Sequence, residues 1–300
     1  MGRLRSWADR ALEPILWLDA VLTYIFLYLP IVVLILYSFS ASRYALVWGG
    51  FSLEAYRKLL TDPEIAPALG NSVVVASLST VIATVLGTAL ALALERAHFR
   101  WQRSIEAFVY LPIVIPEIVM AVGLLLFFAQ VLRPLLGTLS PLPAVIAGHV
   151  AFSISYVMVV VRARLRDLDR SLEEAALDLG ATPAQVLRRV TLPLLTPAII
   201  SGALLAFTLS LDDFYVTYFS TTGGSGFKTL PLYLYALGGR AAIPPQMNAV
   251  AALMLLASLT LVAVAFLIQR RHPSPLLPSP SEGRGDRSEG ARKELSSRRG

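Results

Sequence analysis

The chain has 300 residues, of which 56% are hydrophobic and only 15% charged, with a mean hydropathy of +0.65. Soluble domains carry roughly 25% charged residues, so this balance excludes an ordinary soluble domain and describes an integral membrane protein. There is no cysteine, and the three histidines (His98, His149, His272) form no His-x-x-x-His pair, which excludes disulfides, thiol chemistry and a recognisable zinc motif. The net charge of +6 is dispersed through loops between apolar runs, so it speaks to topology rather than to nucleic acid.

A hydrocarbon core of ~30 Å takes about 20 residues of apolar helix. Six runs meet that length: Ala20 to Phe39, Asn71 to Leu94, Ala107 to Leu132, Pro143 to Val161, Pro197 to Phe219 and Ala249 to Ile268. The first is long for a signal-peptide core, and Ser40-Ala41-Ser42 is a poor cleavage site, so it is expected to stay as an uncleaved span. An even number of spans puts both termini on one side. That side carries 20 of the 26 Lys and Arg residues and the other side 6, so the positive-inside rule predicts two cytoplasmic termini. The expected organisation is a cytoplasmic N-terminus (1–19), a six-span domain (20–268) with a cytoplasmic loop at 162–196, and a basic tail (269–300). The tail is rich in Pro, Ser, Gly, Arg and Glu and is expected to be disordered, with its basic residues within reach of anionic membrane lipid.

In the third run, Pro112 and Pro116 remove helix hydrogen bonds and predict a kinked or broken span. Glu117, about eleven residues into that span, either faces a passing solute or repairs the freed backbone.

The loop after the fourth run holds a polar island, Ser171 to Leu195. Ser171 with Glu174 reads as a capping box, which predicts a helix of about two turns closed at Gly180. Thr182, Pro183 and Gln185 predict a second start at once, and that helix is expected to end near Pro193. Two short helices around a glycine also describe a helix-turn-helix DNA reader, but spans leave this element at both ends and it has no domain to carry it into a groove. A plain connector between spans is the other reading. Against it, Ala175 and Ala176 form a small-residue face open to close approach by a partner.

Glu174-Ala175-Ala176, three residues, Gly180, nine residues, then Val190-x-Leu192-Pro193 resembles the EAA signature of ABC importer membrane subunits, with valine where isoleucine is usual. The resemblance implies a type I ABC importer permease fold, and a coupling helix that docks on a dimer of ATPase subunits. ATP and Mg would then belong to the ATPase, and the chain would carry no cofactor. The glycine-rich Gly223-Gly224-Ser225-Gly226-Phe227-Lys228-Thr229 agrees with that division. Phe227 separates glycine from lysine, and the predicted topology puts the loop outside, so it is no phosphate loop.

The fifth run places Asp212 and Asp213 inside an apolar helix. Starting at Pro197, Asp212 falls about 22 Å across the bilayer, where a carboxylate needs a cavity, a partner or a cation. Neighbours on a helix point ~100° apart, so one acid can line a path while the other anchors a helix. The alternative is a structural pair bonded to His149, Arg240 or Lys228. A path lined by Asp212 or Asp213, with Phe214, Tyr215, Tyr218 and Phe219 as neighbours, suits a flexible organic cation through charge and cation–π attraction. Leu209-Ser210-Leu211-Asp212-Asp213-Phe214, Thr229-Leu230-Pro231, Asn248-Ala249 and Pro116-Glu117 are similar to the C-type membrane subunits of spermidine/putrescine importers, with Glu117 in place of an aspartate. This implies a polyamine permease of the bacterial inner membrane that works by alternating access, with a second homologous permease and an extracytoplasmic binding protein as partners. Iron, thiamine or another organic cation are the alternative cargoes. An ATP-independent channel or carrier, or an intramembrane enzyme, are the alternative classes; no catalytic constellation supports the last.

Overall fold

The computed structural model describes residues 2–96, 100–137, 140–221, 226–239 and 243–271. The described residues are almost wholly helical, and six helical stretches are long and apolar enough to cross a membrane. Each overlaps one of the six runs read from the sequence.

The first span is α1 (Gly2–Ser38), followed by a turn and the short helix α2 (Glu54–Thr61). The second is α3 (Ile65–Arg96), whose 32 residues make a rod of ~48 Å, longer than the ~30 Å hydrocarbon core, so Glu95 and Arg96 emerge at its end. The third is broken, as its prolines predict, into α4 (Gln102–Val114) and α5 (Glu117–Phe127), with Ile115 and Pro116 extended between them. A π turn (Phe128–Leu132) leads to the one-turn α6 (Arg133–Leu136). The fourth span is α7 (Pro141–Arg166), then α8 (Ser171–Asp178) and α9 (Pro183–Val186) form the polar island. The fifth is α10 (Leu192–Asp212), followed by α11 (Tyr215–Ser220) and α12 (Leu230–Gly238), and the sixth is α13 (Gln246–Arg271). Residues 269–271, expected to open a disordered tail, continue α13 instead; the remainder of that tail lies outside the described residues.

Spans two, four and five form the centre, where Ala91, Leu94, Val157, Met158, Val161, Leu165, Leu195 and Ala206 pack together. Small residues allow it. Apolar side chains gain nothing by leaving lipid for a helix interface, so close backbone approach supplies the attraction. A Cβ on Gly87 would lie 2.8 Å from Val157 Cβ and 2.9 Å from the Ile154 carbonyl, so α3 and α7 meet only because that residue is glycine. A second cluster, Ala55, Leu59, Ala68, Leu230, Tyr233, Leu237, Ala249 and Val250, ties α2 and α12 to the ends of α3 and α13. A third, Ala121, Phe152 and Val216, joins α5, α7 and α11. The first span lies outside this core, against α13.

Two expectations are corrected here. The second island helix does not end near Pro193. A π turn (Leu187–Thr191) carries it straight into α10, and this wider turn moves the carbonyl that the proline ring would otherwise strike. The fifth span does not run unbroken through the acidic pair: α10 ends at Asp212, Asp213 is extended (φ −64, ψ 130), and α11 starts anew at Tyr215.

Candidate functional site

Among the described residues, polar groups gather at the island and at the opposite end of the fifth span, besides the contacts of Asp62, Glu64, Asn71 and Ser72 with the start of α12 and the residues before it. At the island, Ser171 is helical and its N–H donates to Asp169 Oδ1 at 2.9 Å. That bond holds the Asp169 carboxyl below its usual range. The capping box expected of Ser171 and Glu174 is therefore replaced by a carboxylate two residues earlier, and Glu174 is exposed. The C-terminus closes as expected. Gly180 has φ +85, its N–H donates to the Leu177 carbonyl at 2.9 Å, and the Ala181 N–H donates to the Ala176 carbonyl at 3.1 Å. The Thr182–Gln185 capping box is present in both directions, at 3.4 and 2.8 Å.

Glu173, which the sequence reading passed over, fixes the island to the spans. Its carboxylate takes both terminal nitrogens of Arg96 at the end of α3, and Thr191 Oγ1 donates to it at 2.6 Å. Beside it, the buried Arg162 bonds Glu95 at 3.1 Å and Glu106, and Arg166 bonds Glu95 at 3.1 Å. Glu106 stands one residue before the third apolar run, and its hydrogen bond from Arg162 holds its carboxyl below the usual range. The exposed surface of the island is mixed, with Glu174, Asp178, Arg188 and Arg189 among its apolar residues. Leu172 and Ala175 are exposed, and Leu179, just before the glycine turn, is 90% exposed. Ala176 is half-buried, as are Val190 and Leu192, whereas Pro193 is exposed.

At the break in span five the two aspartates part company. Asp212 is exposed, with Ser258 Oγ of α13 at 3.3 Å from Oδ2. Asp213 is buried and serves as the cap of α11, accepting from the N–H groups of Val216 (3.2 Å) and Thr217 (2.9 Å) and from Thr217 Oγ1 (3.0 Å). His149 Nε2 lies 3.1 Å from Asp213 Oδ2. Of the three donors considered for the pair, His149 is thus the one in contact; Lys228 bonds Glu64 at 2.8 Å, and Arg240 lies outside the described residues. Glu117, the first residue of α5, stands close to Asp213, and α5 packs against α11, so the breaks of spans three and five lie side by side.

The aromatic residues gather on this break. Phe214 stacks on Tyr218 (5.5 Å, 27°) and touches Tyr215 (5.3 Å) and Tyr235 (4.8 Å). Tyr215, Tyr218 and Tyr235 are all exposed. Tyr235 was not among the residues singled out in the sequence, because α12 is too short to read as part of the bundle and nothing in its spacing points to Phe214. The arrangement is a set of exposed aromatic rings over a buried polar knot, with the exposed Asp212 at the end of the preceding helix.

A family model described as binding-protein-dependent transport system inner membrane component matches residues 83–273. The chain is 40% identical to the putrescine transport system permease protein PotI of Escherichia coli (strain K12), over 78% of this chain and 83% of that one. It is 39% identical to the spermidine/putrescine transport system permease protein PotC of Haemophilus influenzae, over 83% of this chain and 94% of that one. In fold it is similar to a chain of a bacterial ABC transporter involved in the import of the acidic polysaccharide alginate, with a TM-score of 0.69 and 21% identity, covering 89% of this chain and 99% of that one. The chain belongs to the family of binding-protein-dependent transport system inner membrane components, the membrane-spanning permease subunits of ABC importers.

Proposed function

We propose that the chain carries polyamines inward across the bacterial inner membrane by alternating access, driven by ATP hydrolysis on separate subunits. The reading of cargo is carried by one observation: Asp212 stands exposed at the broken end of α10, two residues before Phe214, on which the exposed rings of Tyr215, Tyr218 and Tyr235 gather. A carboxylate and aromatic faces attract ammonium groups, and a chain of methylenes packs on the same rings. The names of the PotI and PotC relatives point the same way. Both termini and the island are cytoplasmic in this reading, as the Lys and Arg distribution requires. The island carries the EAA residues Glu174, Ala175 and Ala176 and docks on one of two ATPase subunits. A second homologous permease faces the bundle, and an extracytoplasmic binding protein delivers the cargo to the opposite side.

The test is uptake of labelled putrescine and spermidine into vesicles holding the whole complex, with Asp212→Asn as the variant. Asparagine keeps the size and the bond to Ser258 but loses the charge. Uptake is expected to fall at least about tenfold, the worth of one charge-assisted hydrogen bond at ~1.5 kcal/mol, with subunits still copurifying. Undiminished uptake, or competition by iron or thiamine but not by polyamines, overturns the cargo assignment.

A further inference from the structure

The residue that organises the break in span five stands on another helix. His149 lies in α7 and is fully buried. A histidine is costly to bury in a membrane span and is kept where its ring nitrogens have partners. Nδ1 lies 2.6 Å from Ser210 Oγ, in the last turns of α10 before the break. Nε2 lies 3.0 Å from Thr217 Oγ1 and 3.1 Å from Asp213 Oδ2, both beyond the end of α10. Ser210 is bonded in turn to Ser79 Oγ of α3 at 3.1 Å. The backbone ladder stops at Asp212, so the ring replaces the missing hydrogen bonds with side-chain bonds to both halves at once. Nε2 is the ring nitrogen that faces Asp213, and with a hydrogen on it the ring donates to the carboxylate.

We infer that His149 is a positioning residue for transport: it fixes the angle at which α11 leaves α10, and so the direction that Phe214, Tyr215 and Tyr218 present to the cargo. It does not reach the open face itself. The inference rests on the reading of that face as the cargo path, but its first observable is the orientation of α11, which needs no cargo to measure.

Amide variants separate the two bonds. The amide of glutamine extends to the place of Nε2 and can donate to Asp213, whereas that of asparagine stops at the place of Nδ1 and reaches Ser210 alone. The chain has no cysteine, so Tyr215→Cys gives this subunit a single thiol for a nitroxide label in the assembled complex. His149→Gln is expected to keep the parent line shape and, measured with Tyr215 intact and unlabelled, putrescine uptake within a few-fold of the parent. His149→Asn is expected to change the line shape and lower uptake at least about tenfold, the effect of losing one hydrogen bond to a charged group. Both variants are polar and smaller than histidine, so their comparison survives a modest loss of stability common to the two. If glutamine and asparagine give the same line shape, or asparagine is the one that keeps it, the inference is overturned. A line-shape difference without an uptake difference overturns the role in transport. If Asp212→Asn transports normally, the path reading fails, while the label still reports whether His149 holds α11.

Discussion

Gly148 and Val216 show how single residues set the geometry of the break. A Cβ on Gly148 would lie 2.6 Å from Val216 Cγ1, with Leu124 Cδ1 at 3.5 Å, so α7, α11 and α5 meet at a point with no room for one methyl group. Val216 is β-branched and stiff, so it cannot turn away without moving α11. Gly148→Ala is therefore expected to cost about 1–3 kcal/mol, seen as a lower thermal inactivation temperature of the purified complex, and to reduce uptake. Adding Val216→Ala removes the clashing carbon and is expected to recover most of both; failure to recover would mean that the glycine serves some other purpose. The sequence made the neighbouring His149 legible as a donor at the right depth, but it could not choose it over Lys228 or Arg240, because depth along a helix says nothing of azimuth. Gly148 gave no signal. A glycine in a span is common, and only the position of Val216 makes this one necessary.

Helix boundaries were read well where the chemistry is local and poorly where it is shared. The Thr182 cap and the Gly180 closure depend on residues within five positions, and both formed. The Ser171 cap failed because Asp169, equally close, offers a stronger acceptor. The acidic pair was placed in the right span, yet its interruption could not be foreseen, since Asp213 is capping a helix whose fold depends on α5 and α7. The island's attachment lies beyond local reading for the same reason: Glu173 and Arg96 are 77 residues apart. That pair is half-buried, so its coupling is set at ~1 kcal/mol, about fivefold in an equilibrium. Glu173→Arg and Arg96→Glu are each expected to lower cargo-stimulated ATP hydrolysis by the complex, and the double swap to recover part of it. Recovery stays incomplete because arginine at 173 offers no acceptor to Thr191. Additive losses in the double variant would show that the pair does not transmit.

For the whole molecule, the polar contacts join the island to the broken span through the central helices. The central helices α3, α7 and α10 are tied to the polar knot at one end, through Ser79, His149 and Ser210, and to the ion pairs at the other, through Arg96, Arg162 and Thr191. On the proposed coupling, a displacement of the island reaches the break along these helices, through the π turn that opens α10. In the proposed docking of the island, the contact falls where Leu179 projects with 90% of its surface exposed. Water-exposed leucine at the tip of a tight turn costs solubility and is expected to enter a pocket on a partner. A cysteine at Leu179, unique in the subunit, is expected to crosslink to the ATPase subunit in the assembled complex, more readily than one at the half-buried Ala176. Leu179→Asp is expected to weaken copurification of the ATPase, because a charge would be buried without a partner. Copurification at the parent level together with no crosslink would place the docking contact elsewhere on the subunit, and would remove the island from the path between ATP hydrolysis and the broken span.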